Sequence, residues 1–399
     1  MNFTKPDKKI LVAGALVGAA VGAWAGSRSR EYVSSGEVPS LIDWDGARTF
    51  ARRMNTQDRL SGQVREELDA SYKRLVAQSS PIVAEYTGME LPYDLTGVYA
   101  FDRMDWVDAN IRNFQTLFEP IEQLNPLRDE KQASAFNVAW GTVNQRVLTA
   151  EIGILLGYLG RRVLGQYDMT LLGREPVEGG RLYFVHPNIQ NVERNLRLPS
   201  EEFRLWLALH EVTHAFEFEA NPWLQDYFNS LLKEYITFLN RDAEHLKRGL
   251  DGLKIFWRRA RNGETLTGNW FEYVMNEEQR DLFSRMQAMM SVVEGYSNHV
   301  MNAVGRDLIP SYEVISRRFE RRLRQRTFVE VMFARITGLD VKMEQYRKGE
   351  AFINELVEAG GHDLAKRVWE GPEMLPTLQE INEPQQWIRR ARSGSRIIT

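Results

Sequence analysis

The chain has 399 residues, a hydrophobic fraction of 43% that includes 19 Phe, 14 Tyr and 10 Trp, and a formal net charge of −3. That is ample apolar material for a packed core of one large body or two to three domains, and the balanced charge gives no footprint for nucleic acid. Cysteine is absent, which excludes disulfides, a thiolate zinc site and a cysteine nucleophile, so any metal must be held by His, Asp or Glu.

Residues 1–40 stand apart from the rest. Lys8 and Lys9 precede an uncharged run from Ile10 to Gly26, in which Gly14, Gly18, Gly22 and Gly26 recur every fourth residue. Such a small-residue stripe lets helices approach closely in lipid, which suits a membrane anchor. Ala23-Trp24-Ala25 before Gly26 also resembles a signal-peptidase site, and a Gly/Ala-rich soluble arm is the third reading. Seventeen residues is at the short limit for spanning. Membrane association through residues 10–26 is preferred to a purely cytoplasmic location. Residues 34–40 read as a linker.

Residues 41–170 read as a helical N-terminal part. Asp105 is expected to cap a helix whose Val107, Ile111, Phe114, Phe118 and Ile121 form one apolar stripe. A second long helix is expected from about Lys131 to Leu164, with Gly153 and Gly157 allowing close packing against the metal-bearing helix described next. Residues 171–399 form the metal-binding part. Arg181–Val185 is the clearest strand, and it reads as an edge, either one that accepts an extended peptide or an ordinary hairpin edge. Six arginines between Arg317 and Arg326 fit a solvated helix face, and residues 371–384 read as loop.

The chemistry concentrates in Leu209-His210-Glu211-Val212-Thr213-His214. Ser200 is the expected N-cap of its helix, Glu201 and Glu202 favour the positive end of the dipole, and Asn221-Pro222 ends the segment. His210 and His214 then project from one face a turn apart, the separation at which two nitrogens grip one zinc ion, while Glu211 reaches the metal-bound water. Two histidines that bind nothing on a half-buried helix are the alternative.

A third ligand is expected from the helix spanning about Glu277 to Val304. Glu294 there follows apolar residues, and a carboxylate in such a place is costly unless paired or metal-bound. Asn298, one turn on, can accept a hydrogen bond from the far nitrogen of a ligand histidine. Tyr296, His245 and His299 are candidate donors to an oxyanion, and the sequence does not choose among them.

His-Glu-x-x-His followed by Glu-x-x-x-Asn resembles the gluzincin arrangement, whose second motif is usually Glu-x-x-x-Asp. More closely, the chain resembles the bacterial zincin-like family labelled coenzyme F420 biosynthesis-associated protein. The resemblance rests on Asp43-Trp44-Asp45, on Gly157 to Asp168, on Pro187-Asn188-Ile189 and on Leu209 to His214. It continues through Asn221-Pro222-Trp223-Leu224, Glu294-Gly295, Met343 to Tyr346 and Arg367 to Glu373. It implies a mainly α, zincin-like fold with a small β-sheet and a single zinc ion. The expected activity is that of a metallopeptidase, zinc-activated water attacking a peptide or small amide carbonyl with Glu211 as general base. Two other readings stay open: a zinc-stabilised scaffold or partner-binding protein without turnover, and a small-molecule metallohydrolase linked to coenzyme F420 metabolism. A serine-hydrolase elbow and a phosphate-binding loop are both missing from the sequence.

Overall fold

A computed structural model describes residues 40–55, 59–123, 135–168, 180–241, 277–324 and 340–393; the apolar run 10–26 and His245 lie outside the described residues. In chain order the elements are α1 (Trp44–Met54), α2 (Gly62–Thr87), β1 (Gly97–Phe101), α3 (Arg103–Gln123), α4 (Ala135–Gly160), β2 (Gly165–Asp168) and β3 (Arg181–Val185). They continue with α5 (His186–Leu196), α6 (Ser200–Glu219), α7 (Pro222–Arg241), α8 (Glu277–Leu308) and α9 (Tyr312–Arg324). The last are α10 (Asp340–Lys366), α11 (Leu378–Asn382) and α12 (Pro384–Ser393). The fold is mainly α with one small sheet. Among the described residues no helix is long and apolar enough to cross a membrane.

Two compact units divide the chain, and it passes between them more than once. The first holds α1, α3 and α4. Asp102, not Asp105, caps α3: its carboxylate accepts from the Met104 and Asp105 amides at 2.8 and 2.9 Å. Asp105 sits three residues in, and its own carboxylate reaches back to the Asp102 amide at 2.7 Å, a reciprocal arrangement of the capping-box kind. Gly153 and Gly157 face α1 and not the helix that carries the histidine pair. A methyl at Gly153 would lie 2.6 Å from the Ala47 carbonyl oxygen, and one at Gly157 would lie 2.9 Å from the Met54 sulfur. Ala47 and Ala51, fully buried, are the small residues on α1 that make this approach possible.

The second unit holds the sheet and the remaining helices. β3 is its centre, paired in parallel with β1 and antiparallel with β2. The expectation of an edge at Arg181–Val185 is therefore overturned. Leu182, Tyr183, Phe184 and Val185 are all buried; a run apolar on both faces is the signature of an internal strand, not of a half-exposed edge. α2 covers the sheet, with Tyr72 stacked on Phe184 at 4.4 Å. The arginines of α9 fit the solvated face expected of them, Arg317, Arg318 and Arg321 being exposed.

Residues 371–384 hold more helix than expected. Thr377 and Glu380 form a capping box for α11, and α12 begins at Pro384 and buries Trp387 completely. A five-residue helix is too short to show a period, and a proline at a first helical position is easily read as a break.

The join of β3 to α5 carries a buried histidine. His186 Nδ1 lies 3.0 Å from the Tyr72 hydroxyl, near the Arg204–Glu193 ion pair. Burial, assisted by Arg204 and opposed by Glu193, lowers its pKa to about 4. The neutral ring is thus the folded form. As pH falls below the ordinary value near 6.5, the unfolded chain takes up this proton and the folded one does not. Stability should fall through that window by up to about 1.4 kcal/mol per pH unit from this group. Denaturant unfolding at pH 7 and pH 5 checks it: His186→Gln should show a smaller loss than wild type, and an equal loss in both would contradict the assignment.

Candidate metal centre

α6 is apolar almost all round, with Phe203, Leu207, Ala208, Val212 and Phe216 buried among its neighbours. Its start differs from the expectation. Pro199 occupies the cap position and Ser200 is the first helical residue, because the Phe203 amide bonds the Pro199 carbonyl at 2.9 Å and draws Ser200 into the turn.

The two imidazoles meet edge to face with centroids 4.5 Å apart, and their Nε2 atoms are separated by 3.2 Å. Glu294, from α8, brings Oε2 to 4.0 Å from His210 Nε2. One ligand atom from each of the three residues lies within 4.8 Å of the others. Two donors bound tetrahedrally to one zinc at 2.0–2.1 Å would be about 3.3 Å apart, close to the imidazole separation found. His210 Nδ1 is buried without a hydrogen-bond partner. The three residues thus each bring one potential ligand atom to a common place, a donor set suited to a divalent cation.

Helix crossing places Glu294. α8 and α10 touch backbone to backbone beside it: a methyl on Gly349 would overlap the Ser291 carbonyl oxygen, and one on Gly295 would overlap Gly349 and lie 2.6 Å from the Glu350 nitrogen. Glycine at both positions permits this approach.

Glu211 is held from the other side. It is 6% exposed and accepts a hydrogen bond from the Tyr167 backbone amide. The Val185 amide bonds the Leu164 carbonyl at 2.8 Å, and β2 runs antiparallel to β3. By alternation Gln166 and Asp168 turn their backbone groups towards β3, while Gly165 and Tyr167 turn theirs outward. That outward edge is where Glu211 lies. A methyl on Gly165 would come 2.7 Å from the Glu211 carboxyl carbon. Glu219 fixes the same strand, accepting from the Tyr167 hydroxyl at 2.6 Å and from the Tyr93 hydroxyl.

Burial raises the Glu211 pKa to about 7; Glu294 pushes it the same way, and His214 and the Tyr167 amide oppose it. Burial lowers His210 well below the ordinary imidazole value, with His214 adding to the effect. For His214 burial works downward too, but the Glu217 carboxylate outweighs it and holds the ring up to about 9.

The remaining candidates fall elsewhere. His214 Nδ1 finds Glu217 Oε2 at 2.8 Å and Ser297 Oγ at 3.1 Å, so Asn298 is not its partner; position 297 is the one that the turn of α8 brings to α6. Tyr296 lies two residues from Glu294, about 200° round the helix, with its ring edge to face against the Trp369 indole at 5.3 Å. His299 uses both ring nitrogens, Nε2 with the Tyr86 hydroxyl at 2.9 Å and Nδ1 with Asn354 Oδ1 at 2.6 Å. Sequence reasoning missed Glu217, Ser297 and the outward edge of β2. Glu217 could have been found as the carboxylate one turn beyond His214.

The sequence profile of the zincin-like metallopeptidase family matches residues 42–388. The chain belongs to that family. A crystal structure from Chloroflexus aurantiacus, described as "a putative hydrolase with a novel fold", superposes with a TM-score of 0.65 at 42% sequence identity, covering 88% of this chain and 99% of that one. No curated protein matches the chain. Both similarities support a hydrolase, and neither description mentions coenzyme F420.

Gly165 gives a test of this zincin-like site that needs no substrate. Gly165→Ala should destabilise the fold by about 1–3 kcal/mol through overpacking against Glu211. Made in a Glu211→Ala background, where the carboxylate is gone, the same change should cost much less. Urea denaturation of the four proteins measures the coupling, and equal costs in both backgrounds would contradict the contact.

Proposed function

We propose that the protein is a zinc-dependent hydrolase of peptide or small amide bonds, with His210, His214 and Glu294 holding the ion and Glu211 acting as general base. The observation that supports this reading is the convergence of two imidazoles and a carboxylate from separate helices, beside a buried carboxyl group whose pKa is raised to about 7. A bound zinc ion supplies Lewis acidity towards a carbonyl and lowers the pKa of water.

The chain's own side chains do the rest. A base near neutrality accepts a proton readily and its conjugate acid gives it up readily. Glu211 takes a proton from the attacking water and returns it to the departing amine. The Tyr167 amide and the close backbone of Gly165 limit where that carboxylate can turn. Among the described residues β2, rather than β3, is the strand edge beside the base.

Glu211→Gln separates chemistry from metal binding. The variant should keep one zinc per chain by elemental analysis and lose about 10²–10⁴-fold in cleavage of a mixed peptide library. Full activity in the variant, or wild type prepared without chelator that carries no zinc, would overturn the proposal.

A further inference from the structure

The structure assigns Glu217 and Ser297 as the positioning pair that fixes His214 for metal binding, the task the sequence gives to Asn298. This inference rests on the metal centre proposed above.

His214 directs Nε2 towards His210 Nε2 at 3.2 Å, so Nδ1 is the nitrogen left to face Glu217 at 2.8 Å. Glu217 and Ser297 therefore occupy Nδ1, and Nε2 is the nitrogen left for a cation shared with His210 and Glu294; a ring bound through Nε2 keeps its proton on Nδ1, where Glu217 can accept the hydrogen bond. A ligand histidine whose far nitrogen donates to a carboxylate is held in one ring orientation and made more basic.

Glu217 is 0% exposed, and such a carboxylate is costly unless its oxygens are satisfied. Among the described residues no lysine or arginine forms an ion pair with it; His214 is its ion-pair partner. Ser297 supplies the remaining contact, its hydroxyl 3.4 Å from each Glu217 oxygen and 3.1 Å from His214 Nδ1. Ser297 is also fully buried.

Glu217 follows His214 by three residues and Ser297 follows Glu294 by three, so each stands on the same helix face as its neighbour in the site. The hydrogen bonds between Ser297, Glu217 and His214 therefore tie α6 to α8 beside the third candidate ligand. A buried pair that merely filled space would not need to engage the one nitrogen that sets the ligand's orientation.

Zinc dissociation constants, measured by competition with a chromogenic chelator on the full chain, decide the matter together with melting temperatures of the metal-free proteins. Glu217→Gln keeps the shape and an accepting oxygen but removes the charge; it should bind zinc about 10–100-fold more weakly, with little change in metal-free melting. Ser297→Ala should weaken zinc in the same direction by a smaller factor, and Asn298→Ala should leave it unchanged. Should Glu217→Gln fail to fold, Ser297→Ala against Asn298→Ala gives the answer alone. Wild-type affinity in both Glu217→Gln and Ser297→Ala, or a loss in Asn298→Ala as large as theirs, would overturn the assignment. A wild-type protein that binds no zinc would overturn the metal centre itself, an outcome distinct from a bound zinc that ignores Glu217.

Discussion

Two imidazole nitrogens 3.2 Å apart, with a carboxylate oxygen 4.0 Å from one of them, concentrate electron density in a partly buried place. Such an arrangement is stable only if a proton or a cation sits among the donors, since lone pairs facing one another in a low-dielectric surrounding repel. The rest of the second unit can be understood as the scaffold that holds these atoms at that distance. α6 supplies the histidines on one face. α8 supplies the carboxylate, and the glycine crossing with α10 brings the helix backbones into contact beside it.

Three glutamates on α6 serve three different neighbours. Glu211 accepts from the outward edge of β2, Glu217 pairs with His214 and meets Ser297, and Glu219 binds the tyrosines that hold β2 and the segment before β1. The helical repeat spreads these positions round the axis. One helix thereby presents the histidine pair, places the base and anchors the strand beside it. The surroundings also tune each group separately. Burial lifts the Glu211 acid towards neutrality, while a carboxylate partner outweighs burial at His214.

What could be read from the sequence was local. His210, Glu211 and His214 lie within five residues, so helical geometry alone predicts their common face, and Glu294 stood out as a carboxylate in an apolar stretch. The pairing of strands could not be read in this way. Gly165-Gln166-Tyr167-Asp168 contains two residues poorly suited to strands, so β2 is not legible there and β3 reads as an edge. Ser297 and Asn298 follow Glu294 by three and four residues, about 100° apart round α8, and which of them meets α6 depends on how that helix is rotated. Gly153 and Gly157 announced a close helix contact, but the partner, α1, is just over a hundred residues earlier. In each case the missing information was tertiary.

X-ray absorption at the zinc edge of the metal-loaded protein tests the central claim most directly. The account predicts one zinc per chain with two imidazole rings and carboxylate oxygen in its inner shell, at about 2.0–2.2 Å. A spectrum without imidazole scattering, or a protein that takes up no stoichiometric zinc, would contradict it.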